Sequence, residues 1–249
     1  MKRINFYLLV LLIGVTIISC TDRNNGITEE FYPDGTIKSQ ITVKNGLRNG
    51  ITKNFDEKGR LISTAEYVND IREGWMMNYN PENGKLTAKA MYKADEQDGP
   101  VTLFYKEGML FRESTYVKGR LDGIIKTYWP NGKIKAENTF RMGKPSIGLK
   151  EYDKDGKTLL TQPSIVILRL PSYKNAFKVY LSDKSENVEL YLDDLEDGKY
   201  FNPKTHNLRI EDGVATLKNP RHTTNKISII AKVKKENGNT LILQKYIDL

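Results

Sequence analysis

Apolar and polar residues alternate with period two through most of residues 27–163, and the alternation restarts at a fixed interval. Counted from a recurring turn glycine, offsets two and eight hold Ile37 and Val43, Leu61 and Tyr67, Leu86 and Tyr92, Leu110 and Tyr116, and Ile134 and Phe140. Offset four holds Ser39, Ser63, Ala88, Arg112 and Ala136, while odd offsets are mostly polar, as in Lys135, Glu137 and Thr139. Strict alternation predicts strands with one half-buried face.

The glycine recurs at Gly35, Gly59, Gly84, Gly108, Gly132 and Gly156, every 24 or 25 residues. Several copies follow Asp or Asn, as in Asp34-Gly35, Asn83-Gly84 and Asn131-Gly132, and such pairs mark hairpins because the turn needs positive φ. An aromatic stands about four residues ahead of each: Phe31, Phe55, Tyr79, Phe104, Tyr128 and Tyr152. A second series, Gly50, Gly74, Gly99, Gly123 and Gly148, trails the first by fifteen or sixteen residues, with Gly46, Asp70, Asp95, Gly119 and Gly143 between the two. Each unit therefore reads as two strands closed tightly at the first glycine and linked onward by a longer turn ending at the second. The units fall at 27–50, 51–74, 75–99, 100–123, 124–148 and, partially, 149–163. Together they predict an all-β, elongated antiparallel meander, about 50 Å long for eleven or twelve strands.

At residue 164 the period stops. Apolar stretches at 165–170, 177–181, 188–192, 214–217, 227–233 and 240–247 predict a small β-sandwich-like domain over 164–249. Such a domain would also cap the open edge left by the last repeat strand.

The order of aromatic, three residues, Gly-Lys-Leu, a second aromatic and a spaced glycine resembles the bacterial variant of the MORN repeat. The resemblance implies a repeat sheet that serves as a binding surface. It also implies an alternative, because some bacterial proteins with this repeat are labelled antitoxins: an antitoxin-like inhibitor of a partner toxin. The Gly-x-Gly pattern of eukaryotic MORN arrays is absent, so lipid-headgroup binding does not carry over.

Ahead of the array, Lys2 and Arg3 precede an apolar run at 6–18. That run suits a signal peptide over 1–19 and is shorter than the roughly 20 residues that span a bilayer. It ends in Ile17-Ile18-Ser19-Cys20, which resembles the lipobox of bacterial lipoproteins. The resemblance implies cleavage between Ser19 and Cys20, a diacylglyceryl thioether on Cys20, and acylation of the new amino terminus. Two or three chains anchor stably where one does not. Residues 20–26 become the lipidated cysteine and a short tether. Thr21, where the family's inner-membrane retention signal has Asp, favours the outer membrane in a cell that has one. Cys20 is the only cysteine, so no disulfide forms within the chain.

Charge narrows the partners. The net charge is +8, or +6 without Lys2 and Arg3, and it is spread evenly, whereas nucleic-acid binders gather charge into patches that neutralise adjacent phosphates. No nucleic-acid partner is expected. His206 and His222, the only histidines, have no cysteine partner and no ligand-like spacing, which argues against a metal site or a triad. The acidic run at 193–198, aligned as a calcium-binding EF-hand loop, puts Leu195 and Lys204 where ligands are required. Glu66, Glu113 and Glu137 fall on the polar face at repeat spacing. No catalytic residue, metal or cofactor is expected; a cell-wall glycan enzyme or glycan binder is the third reading.

Trp75, Tyr79, Phe104, Tyr116 and Tyr128 are expected on one side of the sheet, with no helix in the sequence to cover them. They either pack on one another in a curled sheet or line a groove for a partner. The expectation is a non-enzymatic envelope lipoprotein, held to the membrane by its lipid, that binds a protein or acts as a scaffold.

Overall fold

A computed structural model describes residues 24–159, 162–171, 175–205, 207–218 and 226–248. Ser19, Cys20, the leader and both histidines lie outside them. Within the described residues the chain is all β. The array comprises β1 (Asn25–Phe31), β2 (Ile37–Lys44), β3 (Leu47–Phe55), β4 (Leu61–Val68), β5 (Ile71–Tyr79), β6 (Leu86–Lys93), β7 (Glu96–Phe104), β8 (Leu110–Val117), β9 (Arg120–Leu121), β10 (Gly123–Tyr128), β11 (Ile134–Arg141), β12 (Lys144–Pro145) and β13 (Lys150–Glu151). These form one 13-stranded antiparallel sheet in which each strand pairs with its sequence neighbour, the broken pairs β9/β10 and β12/β13 each filling one strand position.

The two kinds of turn are the reverse of the sequence expectation. At the first glycine series the loop is wider: Gly35 N–H donates to Tyr32 O (3.0 Å), Tyr32 N–H donates to Thr36 O (2.8 Å), and Gly35 has φ of 88°. This is a type I turn finished by a left-handed glycine, and the register of each of these hairpins slips by one residue beside it. The loop at Gly84 holds one residue more, closed by Asn80 N–H to Lys85 O, which accounts for the single 25-residue interval. The links between units are the tight ones. Asn45-Gly46, Asn69-Asp70, Ala94-Asp95, Lys118-Gly119 and Met142-Gly143 all have positive φ at both positions, the signature of a two-residue type I′ hairpin. The second glycine series lies beyond these turns, at the bulges that follow them. There Gly74, at φ of 116°, leaves so little room that a Cβ would sit 3.0 Å from the Glu66 Cβ.

Both turn types tie neighbouring units together. Tyr32 and Tyr105 hydroxyls donate to the carbonyls of Phe55 and Tyr128 (2.8 and 2.7 Å), and the Trp129 indole N–H donates to Tyr152 O (3.1 Å). On the I′ side, Asp70 N–H donates to Arg48 O and Asp95 N–H to Arg72 O.

The array has almost no core of its own. Through residue 145 its buried apolar residues are only Ala65, Ala90, Val101 and Ala136. They lie on one face in cross-strand rows; one runs Ile41, Thr52, Ala65, Met76, Ala90, Val101, Ser114. Cohesion along the sheet thus rests on ladder bonds and cross-strand neighbours rather than on a second layer.

The core sits at the carboxyl end. Strands β14 (Ile165–Arg169), β15 (Ala176–Leu181), β17 (Ile210–Glu211) and β18 (Val214–Lys218) form one sheet, and β16 (Val188–Leu192), β19 (Lys226–Lys234) and β20 (Thr240–Asp248) form another. Phe177, Val179, Leu181, Leu190, Ile229 and Leu241 are fully buried in one cluster between them. Ala136 and Leu149 of the array belong to the same cluster, so the sandwich docks on the small-residue face at β11.

Polar contacts close that dock. Glu151, 8% exposed, accepts from Lys235, from Asn237 Nδ2 (2.8 Å) and from Asn239 Nδ2 (3.0 Å). Asn138 Nδ2 donates to Thr240 O at 3.0 Å. Arg141 and Lys144 pair with Glu196 (2.7 and 2.6 Å), and Arg141 also pairs with Asp197. At the outer edge Ser146 bridges Tyr200, with Phe201 N–H donating to Pro145 O. The far edge, β1, is exposed along its whole length.

Candidate functional site

Strand register decides which side chains share a surface. Val101, Leu103, Arg112, Ser114, Thr127 and Ala136 alternate onto the face that carries the sandwich. Trp75, Tyr79, Phe104 and Tyr128 alternate onto the other face. Two contacts fix this: Tyr79 Oη bonds Met77 Sδ at 3.4 Å, and Tyr128 donates to Glu113 at 2.5 Å. Tyr116 does not join them. It is paired with Gly99 in phase with Ser114 and Arg112, on the sandwich side. The expected set of five is thus four and one. The cause is the wide loop: an aromatic four residues before the turn glycine and one eight after it lie on different strands, and the one-residue bulge between them inverts the phase.

The four aromatics are half-buried and no ring-to-ring contact joins them among the described residues. Aliphatic and charged neighbours flank them instead. Lys89 Nζ lies 3.8 Å over the Trp75 ring, an arrangement in which the lysine stem covers apolar surface. Burial, and then its bond to Glu113, pushes the Tyr128 phenol up to about 12, so it stays a neutral donor. Lys126, Glu113 and Glu137 share this face, with Lys126 3.9 Å from Glu137. Exposed Ile51 and Ile124 extend its apolar content. Strands two apart are about 10 Å apart, so Tyr79, Phe104 and Tyr128, level with one another in the register, form a row at roughly that spacing, and Trp75 stands four residues along β5 from Tyr79.

A second feature runs along the I′ edge and was not foreseen. Arg48 donates through Nε to Asp70 (3.0 Å) and lies 4.0 Å over Tyr67; one unit on, Arg72 donates to Asp95 (3.0 Å) and lies 4.4 Å over Tyr92. The backbone N–H of Arg72, and then its side chain, holds the Asp95 carboxyl below its usual value. The signal was present in sequence as Arg at offset thirteen matched to Asp at offset eleven of the next unit. The acidic run at 193–198 is likewise engaged: Asp193 Oδ2 accepts from Lys204 and Thr205 N–H, and Glu196 and Asp197 hold Arg141 and Lys144.

No curated protein matches the chain. Among solved structures, one that it resembles is described as the extracellular domain of a one component system, BT4673, from B. thetaiotaomicron, at 9% identity with a TM-score of 0.21. The likeness covers 90% of this chain and 38% of that one, so the chain spans well under half of that structure's length. The family model described as MORN repeat variant matches residues 24–45, 97–118 and 121–142, each a hairpin closed by one of the wide turns, at Gly35, Gly108 and Gly132.

Proposed function

We propose that this is a non-enzymatic envelope lipoprotein, anchored through Cys20, whose repeat sheet binds a protein partner across the face bearing Trp75, Tyr79, Phe104 and Tyr128. The observation that carries the reading is that these rings are half-exposed, unpaired with one another, and on the side of the sheet away from the sandwich. MORN repeats suggest a binding or scaffold module, and an extended sheet of like units offers a long surface at small topological cost. Rigid aromatics at regular spacing, rimmed by Lys126, Glu113 and Glu137, have the composition of a protein interface.

A photoreactive residue at Lys89 tests this in intact cells. The wild-type chain should cross-link to an envelope protein, and a Tyr79→Ala, Phe104→Ala double variant should lose the adduct with its melting temperature nearly unchanged. Undiminished cross-linking in the double variant, or collapse of its fold, would reject the surface. The same cells report the anchor, since a fatty-acid label present on the wild type should be absent from Cys20→Ser.

A further inference from the structure

We propose that Arg112, together with the cavity above it, binds a small monocarboxylate with an apolar body. This site is on the opposite face from the aromatic row and does not depend on it.

The first observation is a break in the repeat. Offset four takes the small residues Ser39, Ser63, Ala88 and Ala136 in the other full units, yet here it holds an arginine. Local rules broken at a single copy point to function. The second is where the break falls. Arg112, Leu121, Ile125, Asn138 and Phe140 line a cavity of about 290 Å³ that the β19–β20 turn, at 237–240, roofs. Glu151 and Asn138 hold that turn in place through their bonds to it.

The third observation is electrostatic. Arg112 Nε is buried, and no protein acceptor among the described residues reaches it. No acidic residue lines the cavity. Glu113, the next residue, alternates to the far face and accepts from Tyr128. Glu151 stands three strands along the same row, and Lys235, Asn237 and Asn239 occupy its carboxylate. Arg112 therefore brings to a partly apolar chamber a planar guanidinium fork whose Nε meets no acceptor among the described residues. A carboxylate matches that fork with two parallel hydrogen bonds and cancels its single charge. Phosphate, carrying more charge, would call for a second cation, and Arg112 is the one cation among the lining residues. Leu121, Ile125 and Phe140 suit an aliphatic or aromatic body, and the volume is near the lower end for small-molecule sites.

The test uses the full chain with 3-phenylpropionate, its neutral amide and inorganic phosphate as probes, read by calorimetry and by amide chemical shifts. The carboxylate should bind with a millimolar or tighter dissociation constant and shift the Ile125 and Asn138 resonances. The amide should bind about tenfold or more weakly, and Arg112→Ala, a residue this row accepts elsewhere, should lose about tenfold or more for the carboxylate while staying folded. Equal binding by Arg112→Ala, equal binding of the amide, preference for phosphate, or no shift at Ile125 and Asn138 in the wild type would each overturn the proposal.

Discussion

A Cβ added at Gly132 would meet nothing within 4 Å, so only the backbone, at φ of 81°, resists a side chain there. Gly132→Val should cost about 1 to 3 kcal/mol through that strain alone. Gly74 is worse placed, with φ of 116° and the Glu66 Cβ in the way. That carbon is fixed to the backbone and cannot swing aside, so Gly74→Val should exceed Gly132→Val by about 1 kcal/mol or more. Lys135→Val, on a half-buried strand position without such constraints, should stay within about 0.5 kcal/mol. Urea melts of the three variants give the order, and equal midpoints would reject this account of the two glycine series. Both series were readable from spacing. Their roles were not, because spacing records that glycine is required and not whether a turn or a close strand approach requires it.

At the scale of the element, period-two alternation located nearly every strand. All six apolar stretches in the carboxyl-terminal region lie within one residue of β14, β15, β16, β18, β19 or β20 at each end. Among the strands described in that region, two-residue β17 was passed over, too short for any periodicity. Turn types were harder. Asp-Gly and Asn-Gly advertised the wide loops, while three of the genuine I′ turns carry Ala94, Lys118 and Met142 in the left-handed region, residues that give no such signal. Their left-handed backbone is imposed by the pairing on either side, at a cost that Asn reduces. Ala94→Asn should therefore raise stability by about 0.5 to 1 kcal/mol, seen as a higher urea midpoint with an unchanged slope. A lower midpoint would mean that the turn is not the I′ form. The same misplacement of turns put Tyr116 with the other four aromatics, since a face cannot be followed across a hairpin until its loop and bulge are counted.

For the molecule as a whole, the decisive feature is the dock between a sheet with little core and a sandwich with a full one. Sequence could place the sandwich after the repeats but not its seat, which joins residues such as Asn138 and Thr240, or Glu151 and Asn237, too far apart for any local pattern. Acid should open this dock. Burial pushes the Glu151 carboxyl up, but bonds from Lys235, Asn237 and Asn239 together outweigh it and hold the group below the ordinary 4.5. Glu196 is also lowered, first by Lys144. A carboxyl lowered on folding adds stability that is complete above its unfolded value and is lost as pH falls through its folded one, because the unfolded chain then binds the proton more readily. The dock should thus hold at pH 6 and weaken progressively below about pH 4.5. Hydrogen exchange at 235–240 and at β11 should rise together over that range, ahead of exchange in β15 and β19, whose protection comes from apolar burial. Glu151→Gln should lose about 1 to 3 kcal/mol at neutral pH, by removing hydrogen bonds to a charged group, and should flatten the acid limb. An acid limb of unchanged steepness in that variant would mean that Glu151 does not carry the acid response, which would then fall to Glu196 and its pairs with Lys144 and Arg141.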